Sequence, residues 1–147
     1  MMKQMKYFFM ALMCLMMSAS CVADDRIIPV EQLPAAAKTF IQKNFPGRTI
    51  SYAQEDRDGL SKTYEVRLDD GTEVKFDKKG NWDKVDCEMK AVPAALVPAT
   101  IANYVKGSFP GAFVVKIDKE RYGYEVELSN DLELKFDKRG NLMNIDD

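Results

Sequence analysis

Carboxylates are the side chains in this sequence with the most evident capacity for chemistry. The chain has 23 Asp and Glu residues but no histidine, so it lacks the commonest general base and metal ligand. Cys–His dyads, Ser–His–Asp triads and the usual zinc sites are therefore excluded, and we find no glycine-rich phosphate loop of Walker or Rossmann type. The sequence predicts a protein that is not an enzyme and that uses no cofactor or metal. The acids predicted to sit at turns are Asp69, Asp70, Asp77 and Asp137.

Two alternatives to this interpretation depend on the acids. An enzyme with paired carboxylates would need two acids that converge in one cleft with perturbed pKa values. A calcium loop could begin at the run 55–59, Glu-Asp-Arg-Asp-Gly, which places acids two residues apart before a glycine. That run lacks the further ligands and the closing glutamate of an EF-hand, and the second half of the chain has no counterpart. Small-ligand or ion binding stays the alternative function.

Four residues on predicted strands are candidates for binding another protein. If Val85 and Cys87 face the core, strict alternation along 82–87 places Trp82 on the opposite, wet face. Tryptophan and arginine are enriched at interface hot spots. The alternative is that a β-bulge or a contact between the two halves of the chain buries Trp82. The predicted partner-binding residues are Trp82, Arg67, Lys75 and Leu142.

An internal repeat organises the elements that carry these residues. The segment 33–47 (LPAAAKTFIQKNFPG) matches 97–111 (VPATIANYVKGSFPG), and 64–86 matches 124–146, which share Tyr-Glu-Val-x-Leu and Lys-Phe-Asp-Lys-x-Gly-Asn. Self-similarity of this kind indicates duplication of one structural unit.

Each copy predicts one helix followed by strands. Pro34 and Pro98 suit a first helical position, apolar residues follow at helical spacing, and Phe-Pro-Gly ends each helix. Period-two alternation then predicts strands, with Asp70-Gly71 as a hairpin turn. The predicted core aromatics are Phe40, Phe45, Tyr64, Phe76, Phe109, Tyr124 and Phe136.

The fold class that follows is α+β, with two tandem repeats that pack together. Each repeat is predicted to place one helix on the apolar face of a three- to four-stranded antiparallel meander sheet and to leave the charged face open. We draw the units as residues 24–90 and 91–147.

The N-terminal segment reads as a secretory signal peptide over residues 1–23. Lys3 and Lys6 precede an apolar run over 7–17, which is too short to span a bilayer, and small residues end at Ala23. Cleavage after Ala23 predicts a periplasmic or secreted chain without a transmembrane segment, and lipidation of Cys21 is the alternative. Cys87 would then be the remaining thiol, predicted to be a small buried hydrophobe. The net charge of −2 does not favour nucleic acid as a partner.

Residues 28–147 resemble a known family on the strength of these repeated motifs. The helix-plus-meander unit is similar to the PepSY-like domains, in particular the secreted tandem type described as "putative β-lactamase-inhibitor-like". The resemblance implies a two-unit α+β fold like that of the β-lactamase inhibitor protein, located in the cell envelope, and it implies no catalytic residues. The function expected is a non-catalytic protein-binding or inhibitor-like module, which uses the open sheet faces of its repeats to hold another envelope protein or a peptide.

Overall fold

The structure is a computed structural model that describes residues 24–147. The predicted signal peptide, its cleavage site and Cys21 lie outside the described residues. The helices are α1 (Ala35–Asn44) and α2 (Ala99–Ser108), each preceded by a short 3-10 turn, at Val30–Gln32 and Ala94–Leu96. The strands are β1 (Asp24–Ile28), β2 (Ile50–Asp58), β3 (Ser61–Leu68), β4 (Glu73–Phe76), β5 (Trp82–Asp86), β6 (Val114–Lys119), β7 (Gly123–Leu128), β8 (Glu133–Asp137) and β9 (Leu142–Asp146). The α+β class is confirmed.

All nine described strands form one antiparallel sheet in sequence order. The expectation of a separate sheet for each half was wrong, because β5 pairs directly with β6 and sets Val85 opposite Ile117. An apolar strand at the edge of either half would expose unpaired backbone groups, and this pairing removes that edge. Strand β1 was not predicted, since three of its five residues are charged.

Both helices cover the same face of this sheet. A row of fully buried side chains crosses five adjacent strands on that face and belongs to the same core as Ile41 of α1 and Val105 of α2. The row consists of Val74, Val85, Ile117, Val126 and Leu134. Burial of apolar surface at roughly 25 cal/mol per Å² makes this shared core the main source of stability. The seven aromatic residues predicted as core all belong to it or pack against it.

The same aromatic contact fixes each helix on the sheet. The ring of Phe40 in α1 meets that of Phe76 edge-on, with centroids 5.5 Å apart. The ring of Tyr104 in α2 meets that of Phe136 in the same way, at 5.6 Å. Edge-to-face pairs add a stabilisation of about 0.5–1.5 kcal/mol to the area that the rings bury.

The repeated Asp-Lys-x-Gly-Asn motif forms a turn that docks on the start of a helix. Asp77 Oδ1 accepts hydrogen bonds from the backbone N–H groups of Lys79 and Asn81, both at 2.9 Å. Gly80 has φ +89°, and its Cα lies so close to the beginning of α1 that a Cβ there would come within 2.9 Å of Pro34 Cβ. Only glycine combines this backbone conformation with so close an approach.

The second copy of the motif makes the same turn. Asp137 Oδ1 accepts from the N–H groups of Arg139 and Asn141, again at 2.9 Å, and Gly140, at φ +85°, lies against Thr100 at the start of α2. The repeated motif therefore has a structural role, which is to hold the β-hairpin turn against the helix. Over the described part of the chain, the helices are too short and too polar to cross a membrane.

Candidate binding surface

The face of the sheet opposite the helices, called here the open face, carries mainly polar side chains from β2 to β9, whereas Ile27 is exposed on it at the β1 edge. Cross-strand pairing aligns them in two rows that run through the central strands. The first row is Arg67, Glu73, Asp86, Lys116, Glu127, Glu133 and Asp146. The second row is Gln54, Glu65, Lys75, Lys84, Asp118, Glu125, Lys135 and Asn144. The predicted positions of Arg67 and Lys75 on this face are confirmed.

Arg67 is the most highly connected cation of the first row. Its Nη2 lies 2.7 Å from Glu73 Oε2, and its Nε donates to the Tyr52 hydroxyl at 3.0 Å. The guanidinium carbon also lies 5.9 Å from the centroid of the Tyr52 ring. The hydrogen bond to Tyr52 is the main cause that raises the pKa of Arg67. We call these three residues the Tyr52–Arg67–Glu73 cluster.

Tyr52 and Glu73 were not among the predicted binding residues. A signal for Glu73 was available, because Arg67 and Glu73 flank the Asp70-Gly71 turn and face each other across the hairpin. Tyr52 had no such signal, since a register shift between Ile50 and Tyr52 decides how β2 aligns with β3.

Lys75 has a looser environment than Arg67. Its Nζ lies 3.9 Å from Glu65 Oε2, and Lys84 is its direct neighbour on β5. Burial, followed by the charge of Glu73, raises the pKa of Glu65. On β3–β5 the two rows together hold three cations and three carboxylates, so this part of the open face has balanced charge.

The second half of the open face is more acidic. Asp118 and Glu125 lie directly opposite each other on β6 and β7, and the Tyr122 hydroxyl donates to Glu125 Oε2 at 3.2 Å. Burial raises the pKa of Asp118, and the charges of Lys116 and Lys84 limit that rise. Burial and the charge of Glu125 raise the pKa of Tyr122 to about 12.

Trp82 does not lie on the open face, and its predicted position there, which assumed strict alternation along 82–87, was wrong. The register shifts between Lys75 and Phe76, so that Phe76 pairs with Trp82 while Lys75 pairs with Lys84. The extra residue, Asp83, turns Trp82 to the helix side, where its ring lies 6.2 Å from that of Phe40. Trp82 is half-buried there, as the β-bulge alternative described.

Leu142 is displaced from the open face in the same way. The shift between Lys135 and Phe136 pairs Leu142 with Phe136, on the helix side of the edge strand. Its side chain remains 36% exposed there. Of the four predicted partner-binding residues, the structure therefore brings Arg67 and Lys75 together and separates Trp82 and Leu142 from them.

The acidic run at 55–59 forms the end of the β2–β3 hairpin. The Glu55 side chain is buried, and its carboxylate lies within 3.6 Å of the charged groups of Arg26, Arg57 and Lys62. Burial alone would raise the pKa of Glu55, but the hydrogen bond from Arg57 and the neighbouring cations lower it. Within residues 24–147, no group of three or more acids or cysteines is placed to hold a metal ion.

A groove lies beside the C-terminal half of α1. It has a volume of about 510 Å³, and its lining combines apolar side chains, among them Ile41, Phe45 and Ile50, with the cations Lys38 and Arg48. That volume falls within the range of small-ligand pockets, roughly 300–1,000 Å³. Arg48 is already paired, with Nε 3.5 Å from Asp70 Oδ2.

Comparison with known proteins places the chain among periplasmic relatives. The model of a family described as "putative beta-lactamase-inhibitor-like, PepSY-like" matches residues 62–144. A crystal structure from Bacteroides thetaiotaomicron, described as a "putative calcium-regulated periplasmic protein", is 46% identical, with a TM-score of 0.81 over 84% of this chain and 98% of that one.

Two structures from Bacteroides vulgatus are similarly close. A "putative periplasmic protein" is 43% identical, with a TM-score of 0.80 over 84% of this chain and 98% of that one. A "putative periplasmic protein of unknown function" is 36% identical, with a TM-score of 0.80 over 84% of this chain and all of that one. No curated protein matches the chain.

Proposed function

This chain belongs to the PepSY-like family described as β-lactamase-inhibitor-like, and on that premise we propose that it is a non-catalytic periplasmic module that binds another envelope protein or peptide through its open face. The observation that carries the proposal is the Tyr52–Arg67–Glu73 cluster, which lies on a polar sheet face that the helices leave uncovered. The periplasmic descriptions of three relatives support the location.

The cluster has the properties of an interface anchor. Tyrosine and arginine are enriched among hot-spot residues, and here the guanidinium is held by an ion pair at 2.7 Å and a hydrogen bond at 3.0 Å. Since its side chain is already ordered, it loses less conformational entropy on binding than a free arginine would. About a third of the side chain stays exposed, so the guanidinium can still meet a carboxylate of a partner.

We further propose that the open face is a composite of two repeats, with β2–β5 from the first and β6–β9 from the second. The matching aromatic contacts, Phe40 with Phe76 and Tyr104 with Phe136, support this division. The boundary near Lys90 would then separate two units that share one sheet. The first unit would offer the paired charges around Arg67 and Lys75, and the second would offer the excess of acids around Asp118.

The test is capture of a partner from envelope extract by the tagged, exported protein, with chemical cross-linking and circular dichroism on each variant. We expect a partner that the wild-type protein and Lys43→Ala both retain and that Arg67→Ala binds about 30-fold more weakly, because a hot-spot residue contributes roughly 2 kcal/mol or more. Lys43 is exposed on α1, so the Lys43→Ala control also removes one positive charge, but from the helical layer opposite the open face. Equal retention by Arg67→Ala, or the lack of any partner, would contradict the proposal.

The second candidate function is small-ligand or ion binding. The groove beside α1 favours an anionic amphiphile, because its lining combines apolar side chains with Lys38 and Arg48. Lys38→Ala should weaken binding of a fatty-acid probe, measured by fluorescence displacement, whereas Lys43→Ala should not. Probe binding that is equal in both variants would count against this site.

Calcium enters this second candidate through the relative from Bacteroides thetaiotaomicron, whose description includes calcium regulation. Calcium prefers several oxygen ligands at about 2.3–2.6 Å, and Glu55 is engaged by three cations instead. We therefore place any calcium effect away from the 55–59 run. A calcium-dependent rise in melting temperature that persists in Asp56→Asn/Asp58→Asn would agree with this placement, and its loss in that variant would contradict it.

A further inference from the structure

Strand β9 is the second-copy counterpart of β5, but the two strands have different surroundings. Both carry a register shift at the same point of the motif, directly before the phenylalanine. Strand β5 lies between β4 and β6, and its Val85 is fully buried. Among the strands of residues 24–147, β9 is paired with β8 alone, at the edge of the sheet, and the corresponding Ile145 is 43% exposed.

The backbone of β9 also has groups available for pairing. Directly after β5, the N–H of Cys87 donates to the carbonyl of Val115 in β6. Because every second residue of an antiparallel strand directs its N–H and C=O to the same side, those of Val85 also point towards β6. By the same alternation, the N–H and C=O of Ile145 point to the open edge of β9. The first half of the chain thus shows what completes this strand, which is an antiparallel neighbour with an apolar residue opposite Ile145.

The two edges of the sheet differ in composition. Three of the five residues of β1 are charged, and charged edges discourage pairing with other sheets. On β9, by contrast, Leu142, Met143 and Ile145 are apolar and between 36% and 57% exposed. Edge pairing is therefore favoured at β9.

We propose that β9 pairs with β9 of a second copy of this chain, across a two-fold axis, to form one continuous antiparallel sheet. The direction of the strands selects this arrangement. Because nine antiparallel strands alternate in direction, β1 and β9 run the same way. If two copies keep their helices on the same side of a joint sheet, β9 of one copy meets β1 of the other in parallel. Under the same condition, β9 of one copy meets β9 of the other antiparallel, which is the pairing found throughout this sheet. The antiparallel pair is the more stable per residue, and it gives a closed dimer, whereas the other contact gives an open array.

The test uses the protein exported with its own leader and purified from the periplasm. Sedimentation equilibrium from micromolar to millimolar concentration should give a mass twice that of the monomer. Ile145→Lys should weaken the dimer about tenfold or more, because it places two like charges near the axis. Ile27→Lys makes the same change at a side chain on β1 that is 65% exposed, and it should leave the dimer intact.

Amide hydrogen exchange supplies a measurement that does not depend on any variant. In the wild-type protein the exchange of the Ile145 N–H should slow as protein concentration rises, while that of Ile27 should not change. A wild-type protein that stays monomeric without such protection, an Ile145→Lys protein that stays dimeric, or species larger than a dimer that Ile27→Lys disperses would each overturn the proposal.

Discussion

The Nζ of Lys119 lies 3.9 Å from the centroid of the Trp82 ring. This contact joins the two halves of the chain, because Trp82 begins β5 and Lys119 ends β6. The indole also lies against α1, with its centroid 6.2 Å from that of the Phe40 ring. Trp82 is thus enclosed between its own helix and a cation from the second half, and burial lowers the pKa of Lys119 despite the charges of Asp83 and Asp77.

Lys119→Ala should destabilise the protein by about 0.5–1 kcal/mol, the usual magnitude of a cation–π contact that is not fully desolvated. The same change should shift the tryptophan emission to the red and increase quenching by acrylamide, since the ring loses its cover. Trp82 is the single tryptophan, so the emission reports on this site alone. The matched control is Lys106→Ala, at an exposed lysine on α2, which should leave the emission unchanged. An equal red shift in both variants would show that the contact does not shield the ring.

Two Gly→Ala substitutions should change stability in opposite directions. A Cβ on Gly80 would lie 2.9–3.0 Å from atoms of Pro34, Ala36 and Ala37, at a φ of +89°. Backbone strain and overpacking together should therefore lower the free energy of unfolding by about 2–4 kcal/mol. Gly107, within α2, has open space around its Cα, so Gly107→Ala should raise the free energy of unfolding by about 0.5–1 kcal/mol through helix propensity. Urea unfolding measures both, and a neutral Gly80→Ala would show that the turn does not dock on α1.

The thiol of Cys87 should react slowly in the native protein. Burial is the main cause that raises its pKa from 9.0 to about 11, while a hydrogen bond with Thr72 acts in the opposite direction. The thiolate is the reactive form, so this rise in the pKa of Cys87 should slow labelling by Ellman's reagent at neutral pH roughly 100-fold. The labelling rate should also keep increasing above pH 9. The same protein in urea serves as the control. A native rate that levels off near pH 9 would contradict the assignment.

Several features of the fold could be predicted from the sequence because they depend on neighbouring residues. Period-two and helical spacing of apolar side chains placed the helices and most strands, since these patterns decide which face of an element is buried. The burial of Cys87, Phe76 and Phe136 is confirmed on the same basis. Arg67 and Lys75 could be assigned to the open face because no irregularity separates them from the alternating residues of their own strands.

Tertiary structure alone decided the surroundings of Trp82, Leu142 and Tyr52. One extra residue in a strand reverses every side chain beyond it, and the sequence does not mark where the register shifts. The pairing of β5 with β6 was equally invisible, because strand pairing depends on contacts between residues about 30 positions apart, such as Val85 and Ile117. The sequence by itself determined the elements and their buried faces, whereas long-range pairing decided which polar groups meet and which edge of the sheet stays free.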